Sequence, residues 1–133
     1  MERATVILYG MTESERKKVK GVCQKLDVRL RNVLPEEAGQ PVGAFAGAAA
    51  FIEQPEPWEP EGPMLVFAGV TDRQLERFLS SLRTARVGYT ALKAVLTPTN
   101  AQWTGRQLYE ELTKERESLG DHPRIPGMNE EET

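Results

Sequence analysis

Two long apolar runs, each followed by an amphipathic stretch, stand out in the pattern of hydrophobic and polar positions. The runs TVILYG at 5–10 and PMLVFAG at 63–69 are apolar on both faces of an extended strand, which predicts two central strands of a sheet. After each run, apolar residues recur at the spacing of one helix face, which predicts an amphipathic helix. The first stripe contains Val19, Val22, Cys23 and Leu26, and the second contains Leu75, Phe78, Leu79 and Leu82.

Three helix starts have the sequence of a capping box, in which a threonine side chain accepts from the N3 amide and the N3 side chain reaches back. They are Thr12 with Glu15, Thr71 with Gln74, and Thr104 with Gln107. We therefore predict three helices, capped at 12, 71 and 104.

Each of the first two helices leads to a strand with partial alternation, at 28–34 and 89–96. Arg29, Arg31 and Lys93 occupy outward positions of these strands. Such charges prevent pairing with another sheet, so both strands are predicted to be edges.

The two strand–helix–strand segments resemble each other. VILYGMTE at 6–13 matches LVFAGVTD at 65–72 at an offset of 59, and the edge strands match at an offset of 62, with Leu30 on Leu92 and Arg31 on Lys93. Duplication of a βαβ unit explains this match. The other interpretation is that any two βαβ units share such a pattern.

These elements predict an α/β fold built from duplicated βαβ units. If residues 42–51 form a short helix, right-handed crossovers give a mainly parallel four-stranded sheet, order 2-1-3-4, with helices on both faces. If that segment is irregular, the elements form a ferredoxin-like antiparallel sheet, order 4-1-3-2, with the third helix on its open face. We favour the parallel sheet, because both faces of the central strands are apolar.

A single domain is predicted for 1–117, with repeat one at 4–51, a proline-rich strap at 52–63 and repeat two at 64–117. The prolines of the strap favour extended geometry. We expect Trp58 to pack on the domain's own surface, because an isolated exposed tryptophan is unfavourable. Residues 118–133 are predicted to be a disordered acidic tail.

Composition narrows the function classes. The chain has 17 basic and 20 acidic residues and a formal net charge of −3, which argues against nucleic acid, since a phosphate backbone requires a positive field. One cysteine and one histidine give neither an internal disulfide nor a metal-ligand cluster. No apolar run is long enough to span a membrane. We expect a cytoplasmic protein without a cofactor.

The strings PMLVFAG at 63–69 and ALKAVLTPTN at 91–100, followed by Trp103 and Thr104, resemble a bacterial family known as domain of unknown function 3783. The resemblance covers about residues 64–117. It implies a small bacterial protein with no assigned activity and no catalytic residues to transfer.

The candidate ligand or partner site is the loop that contains Thr97, Thr99, Asn100 and Trp103. In the parallel sheet it lies at the carboxyl ends of strands, together with the turns at 10–12 and 69–71, where α/β proteins bind ligands. The loop has more polar side chains than one helix cap requires, whereas capping already explains the other two turns.

The alternative site is an anion-binding ridge on the first helix and the next strand, formed by Arg16, Lys17, Lys20, Arg29 and Arg31. Residues 12–34 carry seven basic and three acidic side chains, and residues 35–62 carry six acidic and no basic ones. The ridge would bind nucleic acid or another anion, or the acidic strap or tail would fold over it. Its structural interpretation is a solvated helix face with charges that protect a sheet edge.

No residues point to catalysis. Cys23 lies on the buried stripe of the first helix and His122 lies in the predicted tail, so no base is placed to activate a nucleophile. We therefore expect a non-catalytic cytoplasmic module that acts through a protein partner, a homodimer or a small effector. The alternative is nucleic-acid or anion binding through the helix at 12–26 and the strand at 28–34.

Overall fold

The structure, a computed structural model, describes residues 4–119. Within them, the strands and α-helices are β1 Thr5–Tyr9, α1 Glu13–Leu26, β2 Arg29–Val33, β3 Met64–Ala68, α2 Asp72–Ala85, β4 Leu92–Val95 and α3 Gly105–Leu119. Short 3-10 helices occupy Pro35–Glu37, Val42–Ala46 and Asn100–Gln102. These elements confirm the predicted α/β class.

All three predicted helix starts are confirmed. At the start of α2, Oγ1 of Thr71 accepts from the Gln74 amide at 3.1 Å, and the Gln74 side chain accepts from the Thr71 amide at 2.8 Å. The same pair of bonds closes the other two capping boxes, Thr12 with Glu15 and Thr104 with Gln107. Each box satisfies two amides that the first helical turn leaves without a partner.

The sheet has the predicted strand order, β2-β1-β3-β4. β1 and β2 are parallel, and so are β3 and β4, but the central strands β1 and β3 are antiparallel. The sheet is therefore mixed. Two of its three strand pairs are parallel, which confirms the predicted mainly parallel sheet, whereas the central pair departs from the parallel arrangement expected for it. The ferredoxin-like alternative is wrong, because it would place β4 beside β1 instead of β3.

The connection between β2 and β3 explains the antiparallel centre. β2 ends at Val33 beside Tyr9, and β3 begins at Met64 on the other side of Tyr9. The chain therefore re-enters the sheet at the end that it has just left, whereas a parallel strand would require a crossover to the other end. Consequently the turns at 10–12 and 69–71 lie at opposite ends of the sheet, and the shared ligand-binding edge expected for them does not form.

The edge strands correspond at an offset of 63, and the predicted offset of 62 is wrong by one residue. Thr5 pairs with Arg29 and Met64 pairs with Leu92. Because side chains alternate along a strand, a shift of one residue exchanges the two faces. Lys93 therefore corresponds to Leu30, which packs on the face covered by α1 and α2.

Helices cover both faces of the sheet, as predicted. α1 and α2 pack on one face, where Leu8 and Phe67 belong to the core. α3 packs on the other face, over Ile7 and Val66. Every residue of β1 and β3 is buried, which confirms that these strands are central.

The strap packs on the α3 face. The centre of the Trp58 ring lies 6.2 Å from that of Tyr9 and 5.6 Å from that of Tyr109, and the Trp58 amide donates to the Pro35 carbonyl. Trp58 therefore packs on the domain's own surface, as expected. The tail predicted at 118–133 lies outside the described residues, apart from Ser118 and Leu119, which belong to α3.

Candidate functional site

Two polar side chains of the loop at 97–103 already form hydrogen bonds within the chain. Asn100 is 4% exposed, accepts at Oδ1 from the Thr97 amide at 2.8 Å, and donates through Nδ2 to the Val95 carbonyl at 3.1 Å. Oγ1 of Thr97 accepts from the Asn100 amide in return. These bonds fasten the end of β4 to the turn before α3.

Thr99 and Trp103 complete the predicted loop site but face different surroundings. Thr99 is exposed, whereas Trp103 is half-buried against the α3 core. The Trp103 carbonyl accepts from the Val42 amide at 2.8 Å, which ties the start of α3 to the segment after β2. None of the four loop residues lines the crevice beside β1 or the pocket beside β4.

The predicted basic ridge is partly neutralised by the chain itself. Arg31 forms a bidentate pair with Glu37 at 2.8 and 2.9 Å, and its guanidinium carbon lies 4.8 Å from the centre of the Phe45 ring. Their hydrogen bond raises the pKa of Arg31 and lowers the pKa of Glu37. One cation of the ridge therefore has its anion already.

The other ridge residues have mixed surroundings. Arg16 donates to the Met11 carbonyl at 3.1 Å, and Lys17 lies 3.7 Å from Glu13. The remaining two are exposed, Lys20 and Arg29. The ridge thus carries less positive charge than its sequence indicates.

A crevice lies at the carboxyl ends of the parallel strands β1 and β2, where βαβ units bind ligands. Its volume is about 350 Å³. Arg16 lines it from α1, and Trp58 and Glu59 line it from the strap. The two charged side chains have opposite signs, so the crevice offers little net charge to a ligand.

Two buried titratable groups lie near these elements. Burial raises the pKa of the Cys23 thiol to about 12. Burial, with a smaller effect from Glu37, raises the pKa of Tyr9 well above its ordinary value. Both groups therefore stay protonated at neutral pH, and a protonated thiol is a poor nucleophile.

A second cavity, here called the β4 pocket, opens beside edge strand β4 between the C-terminal halves of α2 and α3. Its volume is about 290 Å³, near the lower end of the range of roughly 300–1,000 Å³ for small-molecule sites. The described residues that line it are mainly apolar, with three cations: Leu79, Leu82, Arg83, Val87, Gly88, Tyr89, Ala91, Leu92, Lys93, Leu112 and Arg116.

The β4 pocket carries positive charge that its described walls do not balance. Arg83, Lys93 and Arg116 line it, and no acidic residue is among its described lining residues. Nζ of Lys93 donates to the Gly88 carbonyl at 2.7 Å and to the Ala91 carbonyl at 3.1 Å. An ammonium group has three N–H donors, so these bonds position Lys93 and leave one donor for a ligand.

The surroundings of Lys93 disfavour its charged form. Burial lowers the pKa of Lys93, and the nearby Arg116 guanidinium lowers it further. An anion between the two cations would oppose both effects, because opposite charge favours the protonated amine. At the mouth, Tyr89 is 65% exposed, and its hydroxyl donates to the Arg83 carbonyl at 3.1 Å, which holds the ring against the pocket.

The β4 pocket is not recognisable from the sequence alone. Lys93 has the pattern of an edge-protecting charge, and Arg83 and Arg116 have the pattern of ordinary helix-surface charges. The one available signal is a lysine inside the otherwise apolar strand LKAV. The approach of Arg116 depends on how α3 crosses β4, which no local pattern specifies.

The whole lining of the β4 pocket falls in a segment that matches a family. Residues 63–119 match the model of a family described as a domain of unknown function, DUF3783. The match includes β3, α2, β4 and α3, slightly under half of the 133-residue chain, and it agrees with the resemblance seen in the sequence. No curated protein and no solved structure matches the chain.

Among residues 4–119, no group of three or more His, Cys, Asp or Glu side chains is placed to hold a metal ion. No helix in this region combines the length and apolar character needed to cross a membrane.

Proposed function

We propose that the protein is a non-catalytic binding module that takes a small anionic effector with an apolar body into the β4 pocket. The observation that carries the proposal is that three cations line an apolar cavity without an acidic neighbour among its described walls. The proposed setting is the bacterial cytoplasm, which a single, buried and unpaired cysteine supports.

The effector class that best suits this pocket is a monocarboxylate with a short branched or aromatic chain. A carboxylate accepts from the free donor of Lys93 and from the Arg116 guanidinium. Leu79, Leu82 and Leu112 provide apolar surface for the chain. The small volume disfavours a nucleotide or a long acyl chain, because neither would be enclosed.

Anion binding at the basic ridge has weaker support. Arg31 is occupied by Glu37, and Arg16 shares its crevice with Glu59. An anion that approaches the ridge would therefore meet negative charge at two positions, whereas none lines the described part of the β4 pocket.

Titration of the isotope-labelled full chain with isocaproate, followed by NMR, tests the proposal. We expect chemical shift changes centred on β4, the end of α2 and the end of α3. Isohexanol and isohexylamine have the same apolar body without the negative charge, so both should bind much more weakly. An equal response to all three compounds, or changes centred on the β1 crevice, would contradict the proposal.

A matched pair of variants shows whether the pocket cations recognise the carboxylate. Arg116→Met should weaken isocaproate binding, because the guanidinium lies at the pocket wall. Lys114→Met removes a cation from an exposed position of the same helix outside the pocket lining, and it should leave binding unchanged. If both variants lose affinity equally, the positive charge acts only at long range and the site assignment is wrong.

A further inference from the structure

We propose that Lys93 binds α-keto acids covalently in the β4 pocket, as an imine between its side-chain nitrogen and the keto carbon. This inference rests on the function proposed above, since it places a carbonyl group beside the carboxylate of the same ligand. It adds a chemical role for Lys93 that charge recognition alone does not require.

The first argument is the position of the amine. Gly88 and Ala91, whose carbonyls accept from Nζ of Lys93, both line the β4 pocket, so the nitrogen lies at the pocket wall. A neutral amine has two N–H groups, and these two carbonyls can accept both. The nitrogen lone pair then remains available for a carbonyl carbon inside the pocket.

The second argument is the charge around the amine. Arg116 lines the pocket from α3 and acts electrostatically on Lys93, Arg83 lines it from α2, and Tyr89 lines it from the turn before β4. Lysines become nucleophilic at neutral pH when they are desolvated or placed beside another cation, and Lys93 has both features. The other lysines of the chain are exposed: Lys17, Lys18, Lys20, Lys25 and Lys114.

The third argument is that the pocket suits both ends of an α-keto acid. The carboxylate of the ligand lies next to the keto carbon, so a carboxylate held by Arg116 brings that carbon towards Lys93. The leucine side chains of the lining provide apolar surface for the chain of the ligand.

The reaction is a balanced condensation without a redox step. The Lys93 lone pair forms a bond to the keto carbon, and the π electrons of the C=O bond move to oxygen. One N–H proton transfers to that oxygen to give a carbinolamine. The hydroxyl group then leaves with the second N–H proton as water, and the nitrogen lone pair completes the C=N bond.

Reductive trapping tests the proposal on the full chain. The protein is incubated with α-ketoisocaproate and sodium cyanoborohydride, and the modified lysines are located by peptide mass mapping. We expect the reduced adduct on Lys93 to exceed that on the exposed lysines severalfold, since the pocket places the keto acid beside this amine and the lowered pKa of Lys93 increases its neutral fraction. The exposed Lys114 is the internal reference, and excess isocaproate should protect Lys93.

A conservative variant tests the assignment of the adduct to Lys93. Lys93→Arg keeps the positive charge but forms no imine, so it should lose the adduct at position 93 while the adduct on Lys114 remains. If wild-type protein binds isocaproate but the adduct on Lys93 does not exceed that on Lys114, the imine is overturned and the binding function stands. If isocaproate does not bind and the adducts are uniform, both proposals are overturned.

Discussion

Each edge strand of the sheet carries a cation near its middle, and the surroundings of the two cations differ. On β2, Arg31 forms a bidentate pair with Glu37 and stacks on Phe45. On β4, Lys93 is held by two backbone carbonyls and lies near a second cation, Arg116. The first edge therefore contains its own counterion, whereas the described part of the second presents positive charge to an external anion.

The two βαβ units are closely alike in their helices, but their edge cations are not equivalent, because Lys93 corresponds to Leu30 and Arg31 lies on the opposite face of the sheet. α1 and α2 each have 14 residues, start at a capping box and end at a left-handed residue, Asp27 at φ 56° and Arg86 at φ 57°. The segment after β2 supplies Glu37 and Phe45 to its edge, whereas the segment after β4 forms α3. The chemistry of each edge therefore depends both on the face that its cation occupies and on the segment attached to the end of its unit.

The largest expected effect is the loss of carboxylate affinity in Lys93→Met. The side chain donates one charge-assisted hydrogen bond of about 1.5–3 kcal/mol, so affinity for isocaproate should fall roughly 10- to 100-fold. NMR titration measures this loss. Arg31→Met removes a cation of the other edge and should leave the affinity unchanged, and a similar loss in both variants would refute the contrast between the edges.

The effects of the two variants on stability should have the opposite order, so that Arg31→Met reduces the free energy of unfolding more than Lys93→Met does. Arg31→Met leaves Glu37 without its partner and removes the contact with Phe45. Because both side chains are partly exposed, we expect a loss of about 1–2 kcal/mol after solvent screening. Lys93→Met relieves a desolvated charge beside Arg116, which offsets the loss of its bonds to the Gly88 and Ala91 carbonyls, so it should change stability less than Arg31→Met does. Denaturant unfolding of both variants decides this, and equal losses would contradict it.

Local features of this fold were predictable because their partners lie close in sequence. The capping boxes join residues three positions apart, and the buried strands β1 and β3 are apolar at every position that a central strand requires. The direction of β3 was not predictable from these patterns. It depends on where the connection at 34–63 re-enters the sheet, which involves contacts such as that of Trp58 with Tyr9.

The candidate site was less predictable than the fold. The sequence indicates the loop at 97–103 only through its polar residue types, whereas the structure places Asn100 in bonds with Thr97 and Val95. The pocket cations Arg83, Lys93 and Arg116 come from three different elements. Each resembles an ordinary surface charge in sequence, and only tertiary packing brings the three together.

A smaller effect tests whether the capping boxes of α1 and α2 contribute equally to stability. Thr12→Ala and Thr71→Ala each remove a capping bond of the same geometry, at 3.2 and 3.1 Å, and Thr12→Ala also removes the bond that the Thr12 hydroxyl donates to Glu15. Each should reduce the free energy of unfolding by about 1 kcal/mol, with no effect on isocaproate affinity. An unchanged melting temperature for either variant would contradict the capping assignment, and a large difference between them would show that the units are not energetically equivalent.

The smallest expected effect is the pH dependence of carboxylate binding at the β4 edge. Isocaproate binds the ammonium form of Lys93, so binding raises the pKa of Lys93. The affinity for isocaproate should therefore be highest below the pKa that Lys93 has in the ligand-free protein, and it should decline as the pH rises through that pKa. Because burial and Arg116 lower that pKa from the ordinary value of 10.5, the decline should begin at a lower pH than an exposed lysine would give.

Titration with isocaproate at intervals between about pH 7 and about pH 10 measures this decline, while the ligand stays ionised throughout. Lys93→Arg is the control, because a guanidinium does not lose its proton in this range, and its affinity should stay constant. If the affinity of the wild-type protein also stays constant, Lys93 does not contact the carboxylate. The anion would then be held by the arginines alone, and the contrast between Arg31 and Lys93 would concern stability only.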